Sequence, residues 1–215
     1  LDLHHSLRSG LIRRRLGLPA STYPKFSLRT KLYTQFRIGS LPQMHVVDRY
    51  AMALKPLEVA LDTEGLEFFI PDAARQTADK HLADAFSEVP IALVLGATFT
   101  TKRWIPDYFP DLVNQLGRPV ILLGGKGETE LAAEIEKKST VPVLNAAGKF
   151  SLLESAALLD RCAYVITHDT GMMHIAAALN KKIYSIWGQS VPEFGFSPYK
   201  AENTALQVDG LGCRP

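Results

Sequence analysis

Between residues 89 and 187 the chain alternates short apolar runs with longer helical patterns, and no other feature limits its fold so tightly. Residues 91–95, 120–123, 141–144, 163–167 and 183–187 are short apolar runs without polar alternation, as expected of strands buried on both faces. Residues 107–116, 128–138, 151–161 and 172–179 lie between them and carry helical spacing. Five strands alternating with four helices predict an α/β architecture, a parallel sheet with helices on both sides. Local signals agree. Ser151 and Glu154 have capping-box spacing, Asp107 can cap the helix that holds Pro110 in its first turn, and Asn180 stands where a left-handed helix stop is wanted.

The earlier part is less regular. Residues 6–16 read as a basic helix, 20–38 as a polar and aromatic segment containing Pro24, 46–54 as a helix, and 71–87 as a surface helix leading into the alternating region. A boundary is expected near 66–71, dividing the chain into a partial N-terminal domain with its linker (1–70) and a C-terminal domain (71–215). The formal charge of +2 is too small to argue for a nucleic-acid partner, although Arg8, Arg13, Arg14 and Arg15 crowd the first sixteen positions. Cys162 and Cys213 are too few for a disulfide framework or a zinc cluster, which fits a reducing compartment. No uncharged run approaches the ~20 residues that cross a bilayer, and no signal peptide opens the chain, so a cytoplasmic protein is expected. The chain starts at Leu1 without a methionine and stops at Gly-Cys-Arg-Pro, which suggests a fragment.

The chemistry concentrates in residues 164–179, where a β-branched run ends in a polar turn that opens directly into an alanine-rich helix. A helix start offers unpaired N–H groups and a partial positive charge, a seat for a diphosphate. Asp169, Thr170, Gly171 and His174 gather there. A second loop, Gly-Ala-Thr-Phe-Thr-Thr-Lys-Arg-Trp (96–104), follows the first strand. In an open parallel sheet the ligand crevice lies outside the strands' carboxyl ends, so both loops should border one site. Lys102 can neutralise a diphosphate, Thr98 and Thr170 offer hydroxyls, and Gly171 allows close backbone approach. Asp169 would repel phosphate and more naturally accepts from a sugar or ribose hydroxyl or orders the turn.

Four segments give the chain its likeness to a known family: Asp-Thr-Gly-Met-Met-His-Ile-Ala-Ala-Ala-Leu (169–179), the Gly-Ala-Thr…Lys-Arg-Trp block (96–104), Leu-Leu-Gly-Gly (122–125) and Ile186-Trp187-Gly188 before Pro192. With them the chain resembles the heptosyltransferase-type glycosyltransferases, glycosyltransferase family 9. Residues 212–215 resemble the family's downstream segment and residues 2–9 the end of its first domain. The likeness is strong from Val89 onward and weak between Leu18 and Pro71.

This resemblance implies a GT-B architecture: a Rossmann-like parallel-sheet domain on the donor side, with part of a second Rossmann-like domain on the acceptor side. The implied reaction is inverting, metal-independent transfer of a heptose or related sugar from an ADP-sugar to a lipopolysaccharide inner-core acceptor, without a cofactor, at the inner face of the cytoplasmic membrane. Lys102 would stabilise the departing diphosphate, with Thr98, Asp169, Thr170, Gly171 and His174 lining the donor pocket. Arg8, Arg13 and Arg14 would face the lipid-linked anionic glycan and the membrane surface. Two positions depart from the family pattern, Met172 where proline is usual and Asn180-Lys181-Lys182 where a Gly-x-Pro turn is usual. The family's opening strand, Gly-rich turn and basic aspartate have no match here. The general base is therefore expected upstream of Leu1, and the chain as given is expected to bind donor but transfer poorly.

Plainer readings stand beside these. His174 could be a hydrogen-bonded core histidine, Asp169 only a helix cap, Lys102 and Arg103 surface charges flanking a buried Trp104, and the arginine cluster a solvated helix face. Gly124-Gly125-Lys126-Gly127 lacks P-loop spacing and reads as a strand-to-helix turn; His4 and His5 lack metal spacing. A noncatalytic sugar-nucleotide-binding module is the main alternative. A nicotinamide-dependent dehydrogenase is disfavoured because no G-x-G-x-x-G follows the first strand.

Overall fold

The computed structural model describes residues 1–36, 38–41 and 44–211; Cys213 and the Gly-Cys-Arg-Pro terminus lie outside the described residues. Two compact units emerge from its contacts. One comprises Leu1–Glu64 with Val191–Ser197, the other Gly65–Ser190 with the residues from Pro198 onward.

In the first unit, helix α1 (Leu7–Leu16) is set by its ends rather than by burial. Ser6 and Ser9 form a reciprocal capping box, Gly17 closes the helix at φ 63°, and Arg13, Arg14 and Arg15 occupy the last turn, where the helix dipole favours positive charge. None of its residues is buried. Helix α2 (Ser27–Phe36) corrects the reading of 20–38 as an irregular segment. Leu28, Leu32 and Phe36 recur at i, i+4 and i+8, a stripe too narrow to stand out from its polar surroundings. Helix α3 (Val46–Ala51) continues as a 3-10 turn, Met52–Leu57. His45 caps it, Nδ1 accepting from the Val47 amide at 3.2 Å and Nε2 donating to the Ser197 carbonyl at 2.8 Å. The Val191–Ser197 segment is further tied to α3 by Val46 N–H to Gly195 O and by the Arg49 guanidinium to Phe194 O. Gly195 has φ 84°, and a Cβ there would sit 2.5 Å from the Met44 carbonyl, so only glycine fits.

The second unit opens with helix α4 (Asp72–Ala85) and then winds a sheet. Its strands are β1 (Ile91–Val94), β2 (Val120–Leu123), β3 (Val143–Asn145), β4 (Val165–His168), β5 (Ile183–Ile186) and β6 (Asn203–Leu206), all parallel in the order β3-β2-β1-β4-β5-β6. Helices α5 (Tyr108–Leu116), α6 (Thr129–Lys138), α7 (Leu152–Asp160) and α8 (Gly171–Ala178) make the crossovers. Alternate side chains of β1 explain the double cover: Ala92 and Val94 meet Ala156, Leu159, Met173 and Ala176 on one face, and Ile91, Leu93 and Leu95 meet Phe109, Val113, Ala132 and Ile135 on the other. Arg161 binds Asp79 with two bonds and Arg75 binds Asp160, fastening α4 to α7.

The parallel sheet and its helices match the expected α/β architecture, with three corrections. Among the described residues the sheet has six strands, not five; β6, Asn-Thr-Ala-Leu, is a largely exposed edge with no apolar run to mark it in the sequence. The third strand is Val143–Asn145 rather than 141–144. Asp107 precedes α5 in a helical conformation and its side chain makes no cap. Elsewhere the end signals hold. The Ser151–Glu154 capping box is present, and Asn180 at φ 52° ends α8, with the Asn180 and Lys181 amides donating to Ala177 O and Ala176 O as in a Schellman motif.

Candidate functional site

Strand order reverses between β1 and β4, which pair directly through Ala92 with Val165 and Leu93 with Ile166. The β1 crossover leaves toward β2 and the β4 crossover toward β5, so the two following loops part and leave a crevice at the sheet's carboxyl edge. Gly96-Ala97-Thr98 follows β1, and Asp169-Thr170-Gly171 follows β4. A cavity of about 540 Å³ occupies this position, lined among others by Gly96, Thr98, Arg103, Glu128, Thr170 and Gly171. Helix α8 opens onto it with Thr170 in extended conformation and no side-chain cap. The first amides of α8 are thus presented to the cavity without a competing side chain.

One carboxylate lines the cavity. Glu128, only 12 % exposed, accepts from the Gly125 amide at 2.9 Å and lies 3.3 Å from the Arg103 guanidinium, whose Nε donates to Ala97 O at 2.8 Å. A Cβ at Gly96 would come within 2.5 Å of Glu128 Cδ, so that glycine makes room for the carboxylate over the end of β1. Gly124-Gly125 serves here as the strand-to-helix turn expected of it.

Lys102, the residue before the cavity-lining Arg103, ends a 3-10 turn (Thr100–Lys102), and its ammonium donates to Asp169 Oδ2 at 2.5 Å. The same oxygen accepts from Ser190 Oγ at 2.9 Å. The turn is held from two sides. Gln189 N–H donates to Thr101 O at 3.1 Å, and a Cβ on Gly188 would stand 2.5 Å from that carbonyl. On the other side Trp104 N–H donates to His168 Nε2 at 2.9 Å. His168 has no exposed surface, and burial pushes its imidazole down to about 4. Accepting at Nε2 requires a neutral ring protonated at Nδ1, which is buried beside the Gly96 backbone without a well-formed hydrogen bond.

Thr98, Thr170 and Gly171 therefore line one cavity, whereas Lys102 and Asp169 do not line it and form an ion pair with each other. Lys102 itself lines a different hollow of about 500 Å³, mostly apolar, bordered by Trp104, Tyr164, Ile166, Tyr184 and Leu206; Arg103 lines both. His174 is half-buried on α8 and lines neither. Arg8, Arg13 and Arg14 belong to the other unit, on α1, with Arg13 at 3.7 Å from Asp2. Sequence reasoning missed Glu128 and Ser190. The cue for Glu128 was a lone acidic residue three positions beyond a Gly-Gly strand end; Ser190 carried no local signal. Cys162, buried with its thiol pushed up to about 12, is structural.

Comparison with known proteins agrees with this architecture. The model of glycosyltransferase family 9 (heptosyltransferase) matches residues 1–215. Lipopolysaccharide heptosyltransferase 2 of Escherichia coli (strain K12) is 33% identical over 117 residues, covering 50% of this chain and 34% of its own length. Lipopolysaccharide heptosyltransferase 1 of Pseudomonas aeruginosa is 30% identical over 212 residues, covering 90% of this chain and 55% of that protein. The solved structure of E. coli ADP-heptose lps heptosyltransferase II superimposes with a TM-score of 0.69 at 23% identity, over 99% of this chain and 68% of that one. The chain thus matches about a third to a little over half the length of these two curated relatives.

Proposed function

The chain belongs to glycosyltransferase family 9, the heptosyltransferase family, and from that premise we propose that it binds an ADP-sugar donor and serves the transfer of heptose, or a related sugar, to a lipopolysaccharide inner-core acceptor. One observation carries this reading. Two loops converge at the β1/β4 switch point around a cavity that offers hydroxyls, an uncapped helix start and a carboxylate, and the Lys102 ammonium is paired to Asp169, the residue before the cavity-lining Thr170.

In this reading the diphosphate rests against the start of α8, near Thr170 and Gly171, and draws the Lys102 ammonium toward it. Thr98 donates to a phosphate oxygen. Glu128, the carboxylate of the cavity, accepts from ribose hydroxyls. Asp169 accepts from the sugar, and His174 supports the same turn of α8. The acceptor oxygen attacks the anomeric carbon as the bond to the diphosphate breaks, inverting that centre. A general base takes the acceptor proton, and the charge that develops on the leaving diphosphate is met by Lys102 and the α8 amides. No metal and no cofactor enter this scheme.

Among the described residues no helix is long and apolar enough to cross a membrane. A lipid-linked acceptor would be met at the inner face of the cytoplasmic membrane, with Arg8, Arg13 and Arg14 facing its anionic groups. The relatives' names support the donor and the pathway: the solved E. coli protein is named for ADP-heptose, and the curated ones for lipopolysaccharide. The test is calorimetric titration of the chain with ADP-, UDP- and GDP-sugars. Selective binding of the ADP-sugar is expected; binding of none of them would overturn the proposal.

A further inference from the structure

The Asp169 carboxylate is only 10 % exposed, and two donors reach one of its oxygens: the Lys102 ammonium and the Ser190 hydroxyl. A diphosphate and Asp169 cannot both keep that ammonium at full strength. When phosphate oxygens take it, a largely buried carboxylate loses its counter-charge, a heavy cost unless other donors replace it. Ser190 is already in place to be one of them.

The backbone explains why it stays there. Ser190 follows Gly188-Gln189, and this turn is fastened to the Lys102 loop by Gln189 N–H to Thr101 O and by the close approach that Gly188 alone allows. The hydroxyl is thus fixed relative to the loop whose ammonium must move, while Lys102, 27 % exposed on a flexible stem, is the mobile member of the trio.

We propose that Ser190 is a positioning residue for donor recognition: it holds Asp169 in place as the carboxylate gives up Lys102 to the diphosphate and accepts a hydroxyl of the transferred sugar. This rests on the ADP-sugar reading of the site. The exchange couples the two halves of the donor. ADP alone takes Lys102 and gives Asp169 nothing in return, whereas ADP-heptose takes the ammonium and supplies a hydroxyl. Discrimination between them then depends on Asp169, and its full size depends on Ser190.

The experiment is a double-mutant cycle read by calorimetry with ADP and ADP-heptose as separate probes. Ser190→Ala is expected to weaken ADP-heptose binding about tenfold, the lower end of the range for a hydrogen bond to a charged group. Ser190→Thr, which keeps the hydroxyl, stays within about twofold of wild type. In an Asp169→Asn background, where no buried charge needs holding, Ser190→Ala changes affinity by less than about twofold, and the preference for ADP-heptose over ADP shrinks severalfold. An equal loss from Ser190→Ala in both backgrounds, or no loss in either, overturns the Ser190 assignment while leaving donor binding intact. If Ser190→Ala fails to fold, the fall in preference in Asp169→Asn and the retained affinity of Ser190→Thr still decide it. Failure of the wild-type chain to bind any nucleoside diphosphate or its sugar instead removes the reading on which the proposal stands.

Discussion

In the sheet-bearing unit Leu93, Leu122 and Leu158 have no exposed surface, whereas in the first unit Leu7 is 90 % exposed and Leu11 63 %. The two units are organised by different physics. Apolar runs of β1, β2 and β4 are covered on both faces, so their geometry follows from burial. Helix α1 buries nothing and is defined by Ser6, Ser9 and Gly17 at its ends. The difference bears on function, because a binding site needs side chains held against motion. The cavity with Glu128, Thr170 and the start of α8 lies on the unit whose core can hold them.

The sharpest way to break this comparison is a matched pair of truncations. Leu93→Ala should cost about 2–5 kcal/mol, the range for a fully buried leucine, while Leu11→Ala should stay within about 0.5 kcal/mol. Urea midpoints of the two variants check it, and similar losses would erase the distinction. Next in size is a pH effect. His168 has an ordinary value of 6.5 and is held near 4 in the fold, so the unfolded chain binds this proton first as pH falls. The stability that His168 contributes is complete above about 6.5, declines down to about 4, and levels off once the folded imidazole protonates too. The whole swing is roughly 3 kcal/mol. Urea unfolding at pH 7 and pH 4 should show a smaller loss for His168→Gln than for wild type; equal losses would remove His168 as the cause.

A third test moves from stability to the site. Lys102→Ala should weaken ADP-sugar binding by ~1.5–3 kcal/mol, the range for a charged hydrogen bond, with the fold retained. Unchanged calorimetric affinity would contradict a diphosphate role for this lysine. The smallest effect belongs to the first unit. Ser6→Ala removes a cap and should destabilise α1 by about 1 kcal/mol, read as faster amide exchange across residues 7–11. Unaltered exchange would show that α1 is held by something other than its cap.

Legibility in the sequence divided along the same line. Strands buried on both faces announce themselves as uninterrupted apolar runs, and β1 and β2 are legible for that reason, while β4 and β5 are legible from shorter apolar stretches that include Thr167, His168 and Ser185. The exposed edge strand β6 and the narrow stripe of α2 are not, since their residues satisfy no strong periodicity. At the candidate site, spacing located the two loops and brought Thr98, Thr170 and Gly171 to one cavity, but it could not reveal partners distant in sequence. That Lys102 would be neutralised by Asp169, sixty-seven residues away, with Ser190 on the same oxygen, depends on three loops meeting at a sheet edge. Nor could spacing separate two neighbouring hollows, so Lys102 and Thr170 were expected in one cavity and line two.

The central claim is that a nucleoside diphosphate sits at the β1/β4 switch point against the start of α8. Titrating ADP into the 15N-labelled chain and following backbone amide shifts tests it directly. The largest changes should fall on Thr98, Lys102, Gly125, Thr170, Gly171 and Met172. Changes centred on Tyr164, Tyr184 and Leu206, around the apolar hollow, or no changes at all, would contradict it.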